Sequence, residues 1–412
     1  MRKKVVSMNL SWLISGKLVN ENGVWTSDMA SNRYRVLMPA NKLAEQGHTI
    51  NIIHDCTNII ASGGSELSDV DILIIAKSFD QDHLTVAKQA KSLGKKIIID
   101  VCDNYFFQNA EMLAHYSALI ELSNVVVANS QGMADSLAQR FKNKKIIVIE
   151  DPYESIKQPA VFSPSDKELR LAWFGYDRNL PVLLDEIPNL GKVSESIPIK
   201  LKIVTNKNDS LAKDVAAFNQ EFAGQFNIEY ILWSREATQQ AILDSDIVLI
   251  PNKTVDDGLV KSSNRIIESI MMGRFVCASP IPSYKEFEQW AYVGDNLVEG
   301  IVWALNNPHE VTEKISQAQT YIESHYSPAC IGDKWNQLLQ EMTSAAQAVY
   351  TTSADDYVKL NLGCGDKILP GYVNVDVVPA RAGNQPDVIC DLHDLSVFEN
   401  NSADEILSVH VI

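Results

Sequence analysis

The residues whose types and spacing most clearly suggest chemistry lie between positions 260 and 278, where a loop, a helix, a tight turn and a strand follow one another. Ser262 or Ser263 can cap the start of this helix. The unpaired amide groups of the first helical turn, together with the side chain of Lys261, would then form an anion site suited to a diphosphate. Glu268 lies just over one turn further along, where its carboxylate could accept hydrogen bonds from the hydroxyl groups of a ribose.

A pair of carboxylates, Asp100 and Asp103, is the second candidate for chemistry, and it ends an apolar run that begins at Lys96. Two carboxylates on one loop could polarise the hydroxyl group of an acceptor, and Asp103 is the preferred general base. A retaining reaction would need only positioning and phosphate stabilisation. The alternative is that one of the aspartates caps the following turn. Asn104, next in the sequence, is a candidate acceptor contact.

Two arginines, Arg33 and Arg35, open the first predicted helix. Residues two apart on a helix do not share a face, so we expect at most one of them to point into a binding site. There it could hold an anionic acceptor or the diphosphate. A surface ion pair is the alternative.

The elements that must position these residues form an alternation of short apolar runs and longer amphipathic segments, which is typical of a parallel α/β sheet with helices on both faces. Residues 1–150 are predicted to form one doubly wound domain. A proline-rich connector follows at 151–168, and the alternation restarts over 169–350 as a second such domain. The predicted strands are 5–13, 49–54, 71–76, 96–100, 125–128, 146–149, 170–174, 200–204, 228–232, 247–250 and 275–278.

Composition and charge exclude several classes of protein. The 412 residues include 36 Lys and Arg against 52 Asp and Glu, a formal net charge of −16, which argues against a nucleic-acid binder. The longest apolar runs are strand-sized and far too short to span a membrane. The six cysteines include no C-x-x-C pair, so no zinc site is indicated and reduced thiols are expected. We predict no metal and a cytoplasmic protein, with peripheral contact to the inner face of the cell membrane left open.

A third segment, 358–412, follows a polar linker at 351–357 and has its own pattern. An apolar run leads into a turn that contains Gly363 and Gly365, where the absence of side chains allows close approach to a ligand. A second apolar run ends in Asp376, an acid suited to ribose hydroxyls.

The stretch around Glu268 resembles the GT-B glycosyltransferases, especially those of the family 4 type. These enzymes carry two glutamates in an E-x7-E spacing, followed by a glycine turn and a strand, which here match Gly273 and residues 275–278. Glu268 matches the second, ribose-binding glutamate, whereas the first falls on Val260. Because the family's first glutamate contacts the donor sugar, the sugar and the stereochemical outcome stay open.

Other pieces agree with this resemblance, which covers residues 1–350. The strand and turn that open the donor domain correspond to a segment containing Gly175 and Arg178, the latter a phosphate contact. Thr205 and Trp233 end neighbouring strands where the nucleotide base would lie. Asn264 and Arg265 belong to the variant phosphate grip that begins at Lys261, the catalytic lysine that this grip implies.

The third segment resembles the opening of a class I S-adenosylmethionine-dependent methyltransferase. Gly363 and Gly365 match the methionine-side loop, Asp376 the ribose acid, and Asp391 the adenine side. That fold needs about seven strands, and the 54 residues of 359–412 suffice for three and the start of a fourth. We therefore expect a truncated domain from a longer glycosyltransferase–methyltransferase, with S-adenosylmethionine bound only when the domain is complete. A compact appendage that is complete in itself is the alternative.

The predicted architecture is thus two Rossmann-like α/β domains in the GT-B arrangement plus a truncated third α/β segment. The predicted activity is sugar transfer from a nucleotide-sugar donor to a glycan or lipid-linked acceptor in surface polysaccharide biosynthesis. A second hypothesis makes methylation the only chemistry and the GT-B part a non-catalytic glycan-binding module. A third, a sugar-phosphate epimerase on the same two-domain fold, would act on a nucleotide sugar without an acceptor. The oligomeric state stays open.

Overall fold

The computed structural model describes most of the chain and divides it into two compact units, residues 1–335 and 336–412. The described residues are 7–21, 24–105, 109–165, 168–222, 224–255, 258–344, 357–377, 386–390, 392, 395, 397–398 and 402–408.

The first unit begins with a six-stranded parallel sheet whose strands are almost entirely apolar. Helices cover both faces of such a sheet, which is why its strands are continuous apolar runs. A short antiparallel hairpin, which the sequence analysis missed, follows the first strand. The strands are β1 (Asn9–Ile14), the hairpin strands β2 (Val19–Glu21) and β3 (Val24–Thr26), β4 (Thr49–Ile53), β5 (Ile72–Ala76), β6 (Lys96–Val101), β7 (Val125–Ala128) and β8 (Lys145–Val148). Their order in the sheet is β4-β1-β5-β6-β7-β8.

The three longest helices of this part start at side-chain caps. The side chains of Asp80, Asn109 and Ser130 each accept a hydrogen bond from a backbone amide in the first turn of the helix that follows. The helices are α1 (Ala30–Asn32), a π-helical turn Arg33–Leu37, α2 (Met38–Glu45), α3 (Thr57–Ala61), a 3-10 turn Ser65–Leu67, α4 (Gln81–Ser92), α5 (Ala110–Leu122) and α6 (Gln131–Arg140).

A second six-stranded parallel sheet follows in the same unit, in the order β11-β10-β9-β12-β13-β14. Its strands are β9 (Leu169–Phe174), β10 (Ile199–Thr205), β11 (Phe226–Leu232), β12 (Ile247–Ile250), β13 (Phe275–Ala278) and β14 (Tyr292–Val293). Its helices are a 3-10 turn Asp177–Asn179, α7 (Leu180–Leu184), α8 (Ile187–Ser194), α9 (Asp209–Glu221), α10 (Arg235–Leu243), α11 (Asn264–Met271), α12 (Pro282–Lys285), α13 (Leu297–Asn306), α14 (Pro308–Tyr326) and α15 (Pro328–Ser344).

Residues 180–194 form two short helices, α7 and α8, and not one continuous helix. Pro188 lies in the first turn of α8. A proline inside a continuous helix would remove one backbone hydrogen bond and clash with the carbonyl four residues earlier, so a new helix begins there instead.

The start of α15 returns to the first sheet. The rings of Trp335 and Trp12 meet edge to face at 5.9 Å, and the Lys334 ammonium lies 2.7 Å from the Glu150 carboxylate. The first turns of α15, which follow the second sheet in the chain, therefore pack against the first sheet.

The second unit contains a four-stranded parallel sheet in the order β17-β16-β15-β18. The strands are β15 (Lys359–Leu362), β16 (Val373–Asp376), β17 (Val388–Ile389) and β18 (Glu405–Ser408). Buried side chains such as Leu360 and Val375 pack together in a small core of this unit. Within the described part of the chain, no helix has the length and apolar character needed to cross a membrane.

Candidate active site

Charged side chains from both sheets meet in the first unit, where the carboxyl ends of the strands face one another. Lys77 directly follows β5 and Asp103 follows β6, and their side chains form an ion pair with an N–O distance of 3.0 Å. Arg178, in the 3-10 turn after β9, lies 4.0 Å from the other carboxylate oxygen of Asp103. Asp103, predicted as the general base, thus lies at the contact between the two Rossmann-like halves.

The pKa of Asp103 is lowered from its ordinary value. Burial alone would raise it, but the charge of Lys77, the Tyr105 hydroxyl that donates to the carboxylate at 2.7 Å, and the charge of Lys261 together outweigh burial. Asp103 is therefore a carboxylate at neutral pH, as a hydrogen-bond acceptor or a base must be.

Lys77 was missed by the sequence analysis, and its backbone is unusual. Its φ of 48° makes it the only residue other than glycine with a positive φ among the described residues. Such a conformation is uncommon for a residue with a long side chain, and it tends to occur at functional sites. The sequence signal that could have identified Lys77 was a lysine directly after the apolar run that forms β5.

The start of α11 lies beside this cluster. Ser263 occupies the N-cap position, but no side-chain cap hydrogen bond forms there among the described atoms. The predicted capping by Ser263 is therefore not observed. Lys261 and Ser262 are half-buried in the loop before it, and the Ser130 hydroxyl donates to the carbonyl of Val260 at 3.0 Å, which ties this loop to the first sheet.

Glu268 is buried, with 7% of its surface exposed, and its oxygens already accept hydrogen bonds within the protein. The donors are the amides of Glu154 and Ser155, at 2.8 and 3.1 Å, and the hydroxyl of Tyr34 at 3.0 Å. Burial raises the pKa of this carboxyl group above its ordinary value. Here Glu268 binds the connector after the first sheet, and its ribose-binding role stays a prediction.

Arg33 and Arg35 are both buried, so neither forms the surface ion pair given as the alternative. Arg33 donates two hydrogen bonds of 2.9 Å to the Glu154 carboxylate. Arg35 donates to both oxygens of Asp100, at 3.0 and 2.7 Å, and its guanidinium also pairs with Asp151 at 3.1 Å. All three side chains are held in these buried pairs. The general-base role of Asp100 and the acceptor-binding roles of both arginines stay predictions.

Asn104 presents a different environment. Its side chain is buried, with 7% of the residue exposed, yet neither the nitrogen nor the oxygen of its amide finds a hydrogen-bond partner among the described residues. Leaving a buried amide unsatisfied costs about 1–3 kcal/mol per group, so an external group that hydrogen-bonds to it would be stabilising.

The predicted donor-binding residues of the second sheet lie at its carboxyl edge. The Trp233 amide donates to the carbonyl of Thr205 at 2.8 Å, and Thr205 itself is fully buried. The guanidinium of Arg265 donates to the side chain of Asn252 at 2.8 Å and lies against Gly175, where a Cβ atom would be 3.4 Å from it. Asn264 is half-buried at the first position of α11.

The third sheet places its predicted residues together at one edge. Gly363 and Gly365 have φ values of 67° and 52°, conformations that favour glycine. The Gly365 amide donates to the carboxylate of Asp376 at 2.7 Å. Asp391 lies outside the described residues.

Over the part of the chain that the structure describes, no group of three or more His, Cys, Asp or Glu side chains is arranged to hold a metal ion.

Comparison with solved structures identifies the fold. A protein of Rickettsia africae described as a glycosyltransferase aligns with a TM-score of 0.62 and 15% identity over 82% of this chain and 99% of that chain. HepE of Anabaena in complex with UDP aligns with a TM-score of 0.59 and 12% identity over 82% of this chain and 100% of that chain. A variant of S. aureus TarM, in complex with fondaparinux, alpha-GlcNAc-glycerol and UDP, aligns with a TM-score of 0.51 and 17% identity over 69% of this chain and 58% of that chain.

These neighbours are GT-B glycosyltransferases, and the chain has the same two-domain Rossmann-like fold, which confirms the predicted fold class. No protein-family model matches the sequence, and no curated protein matches it either.

Proposed function

We propose that this chain is a glycosyltransferase that transfers a sugar from a nucleotide-sugar donor, with UDP the first nucleotide to test. The observation that carries the proposal is the cluster at the meeting edges of the two sheets, where Lys77, Arg178 and Lys261 act on Asp103. Two of the similar structures contain UDP, and all three share the fold. When a glycosyl bond breaks, negative charge develops on the leaving diphosphate, and fixed cations stabilise it.

The donor would occupy the carboxyl edge of the second sheet. The diphosphate would bind Arg178, Lys261 and the amides at the start of α11, next to Ser262 and Ser263. The nucleoside would lie near the ends of β9, β10 and β11, beside Gly175, Thr205 and Trp233. Asn264 and Arg265 would contact the donor from the start of α11. Contact between Glu268 and a ribose would require its hydrogen bonds to the connector amides to be given up.

The acceptor would bind at the first sheet. Asp103 is ionised and could orient or deprotonate an acceptor hydroxyl. The side-chain amide of Asn104, without a partner among the described residues, offers an NH2 donor group and an oxygen acceptor, which matches the hydroxyl groups of a sugar. We therefore propose a glycan or lipid-linked saccharide as acceptor, consistent with surface polysaccharide biosynthesis and with work at the inner face of a membrane.

Calorimetry with UDP, GDP and ADP on the whole chain tests the donor site. Wild type is expected to bind one of them, and Arg178→Gln to bind it about tenfold more weakly, a change of ~1.4 kcal/mol. Arg140→Gln, at the exposed end of α6, is the control and should bind like wild type. No binding of any nucleotide by wild type would refute the proposal.

Activity then separates the transferase from its alternatives. With a nucleotide sugar and a pool of saccharide acceptors, a glycosyltransferase releases nucleoside diphosphate faster when an acceptor is present. An epimerase would change the donor sugar without any acceptor, and a binding module would do neither.

A second function is favoured by the third sheet. Its strand order, β17-β16-β15-β18, places the first strand of the segment between the second and the fourth, so that the Gly363–Gly365 turn lies beside Asp376. This arrangement fits a nucleoside at the carboxyl edge of a parallel sheet. We propose that this segment belongs to a methyltransferase that binds S-adenosylmethionine, which supplies an electrophilic methyl group when bound.

Titration of the whole chain with S-adenosylmethionine tests this second proposal. The sequence predicts binding only by a complete domain, but the four-stranded sheet already brings the glycine turn to Asp376, so we expect weak binding here. It should be lost in Asp376→Ala but retained in Asp366→Ala, an exposed aspartate ten residues earlier. Equal binding by both variants would contradict a ribose-binding role for Asp376.

A further inference from the structure

Lys77 has a backbone conformation that its residue type disfavours. At a φ of 48°, the left-handed region costs a residue with a Cβ about 1–2 kcal/mol. Glycine would remove that cost, and the position carries lysine instead. What the conformation achieves is to direct the ammonium group from the end of β5 towards Asp103, 3.0 Å away, at the edge where the two sheets meet.

Three cationic side chains lie near the Asp103 carboxylate. Lys77 and Arg178 both pair with this one carboxylate, and Lys261 is close enough for its charge to lower the same pKa. The Lys77 and Asp103 side chains are only 19% and 23% exposed, so water stabilises these charges little. Three cations therefore lie around this carboxylate, an arrangement suited to a ligand with several negative charges.

These cations come from both halves of the first unit. Lys77 follows a strand of the first sheet, Arg178 follows β9, and Lys261 lies in the loop between β12 and α11. An anion bound by all three cations would therefore contact both halves. Of the three, Lys77 is the one that the first sheet contributes.

We propose that Lys77 is a catalytic residue that contacts the donor diphosphate from the first sheet, and that Asp103 occupies the place of this anion when no donor is bound. On donor binding, the Lys77 ammonium would move from the carboxylate to a phosphate oxygen. This frees Asp103 to accept a hydrogen bond from the acceptor hydroxyl. The inference rests on the proposed glycosyltransferase function and adds a residue to its site.

The test compares the affinities of UDP and UMP by calorimetry. Lys77→Asn removes the ammonium while keeping a residue that tolerates the left-handed backbone. We expect UDP to bind about tenfold more weakly and UMP to bind as in wild type, since Lys77 serves the terminal phosphate. Lys77→Gly, which relieves the backbone strain, should give the same pattern, and Lys77→Arg should retain UDP affinity. The control is Lys202→Asn on β10, which removes an ion pair with Asp244 and should change neither affinity.

Asp103→Asn provides a second readout. If the carboxylate competes with the diphosphate for the same cations, its removal should tighten UDP binding, whereas a merely structural aspartate would leave UDP affinity unchanged or reduced. Unchanged UDP affinity in both Lys77→Asn and Lys77→Gly would overturn the inference and leave the glycosyltransferase proposal standing. Failure of wild type to bind any nucleoside diphosphate would instead refute that proposal, and the role of Lys77 with it.

Discussion

At the scale of single residues, one phenol proton links two carboxyl groups. The Tyr34 hydroxyl lies 2.8 Å from an oxygen of Glu154 and 3.0 Å from an oxygen of Glu268. A single proton serves only one acceptor well. Pairing with Arg33 outweighs burial and lowers the pKa of Glu154, whereas burial raises the pKa of Glu268. The two carboxyl groups therefore share one hydroxyl donor, and the Arg33 ion pair belongs to Glu154 alone.

Replacing Glu268 with Gln should change how stability depends on pH. A carboxyl group with a raised folded-state pKa stabilises the fold fully below its unfolded pKa, and this contribution is lost as the pH rises through the folded pKa, by at most about 1.4 kcal/mol per pH unit. Glu268→Gln lacks this loss, so its free energy of unfolding relative to wild type should grow as the pH rises above about 4.3, the ordinary pKa of a glutamate side chain. Urea unfolding measures it, with Glu121→Gln on the surface as the control, and parallel curves for wild type and Glu268→Gln would contradict the expectation.

At the scale of elements, several helices of the first unit are followed by a glycine with positive φ, and for α11 and α2 the surroundings of that glycine differ. Gly273 ends α11 with a φ of 75°, and a Cβ there would lie less than 3.0 Å from the carbonyl oxygen of Pro159. Gly47 ends α2 with a φ of 96° and has open space around it. The carbonyl of Gly273 also accepts a hydrogen bond of 3.1 Å from the Val161 amide. The connector thus packs directly on the end of α11, the helix whose start lies at the site.

Alanine at these two glycines separates backbone strain from lost packing. Gly47→Ala should cost about 1–2 kcal/mol, the price of a left-handed conformation for a residue with a Cβ. Gly273→Ala should cost clearly more, because the connector must also move away. Thermal unfolding of both variants measures the difference, and equal losses would show that the connector yields freely.

At the scale of the whole molecule, function depends on how the two Rossmann-like halves of the first unit meet. A Cβ at Gly132, in α6, would lie less than 3.0 Å from the carbonyl oxygen of Leu259, in the loop before α11. Together with the hydrogen bond from Ser130 to Val260, this contact holds the Lys261 loop against the first sheet. An alanine at position 132 would be compatible with the helical backbone of α6. Its Cβ would instead push the loop at Leu259 away and change how the two halves pack.

Gly132→Ala should therefore weaken nucleotide binding and sugar transfer while each half stays folded. A shift of about 1 Å between catalytic groups can cost about 100-fold, so we expect at least a tenfold loss in the rate of transfer. Far-ultraviolet circular dichroism should remain that of wild type. Gly191→Ala, a helical glycine of α8 with nothing within 4 Å, is the control and should be neutral or slightly stabilising. Unchanged transfer by Gly132→Ala would show that this contact does not position the site.

Much of the element structure could be predicted from the sequence. The predicted strands 125–128, 247–250 and 275–278 have the same bounds in the structure, because short buried strands are apolar runs between polar turns. The hairpin of β2 and β3 was missed because its exposed Trp25 and its neighbours show no such pattern. The break before Pro188 is a local effect that the proline could have indicated.

The sequence by itself determined the fold class, since the alternation of strands and helices and the glycine turns are local features of the chain. It also singled out Asp103, Arg178 and Lys261 as separate candidates. Only the tertiary structure decided that these side chains meet, that Lys77 joins them, and that Glu268 and Arg35 are held in buried pairs. The physical reason is that such contacts join residues far apart in the chain. Sheet order and the packing of the two domains bring these residues together. Neither can be inferred from residue types and their spacing in the sequence.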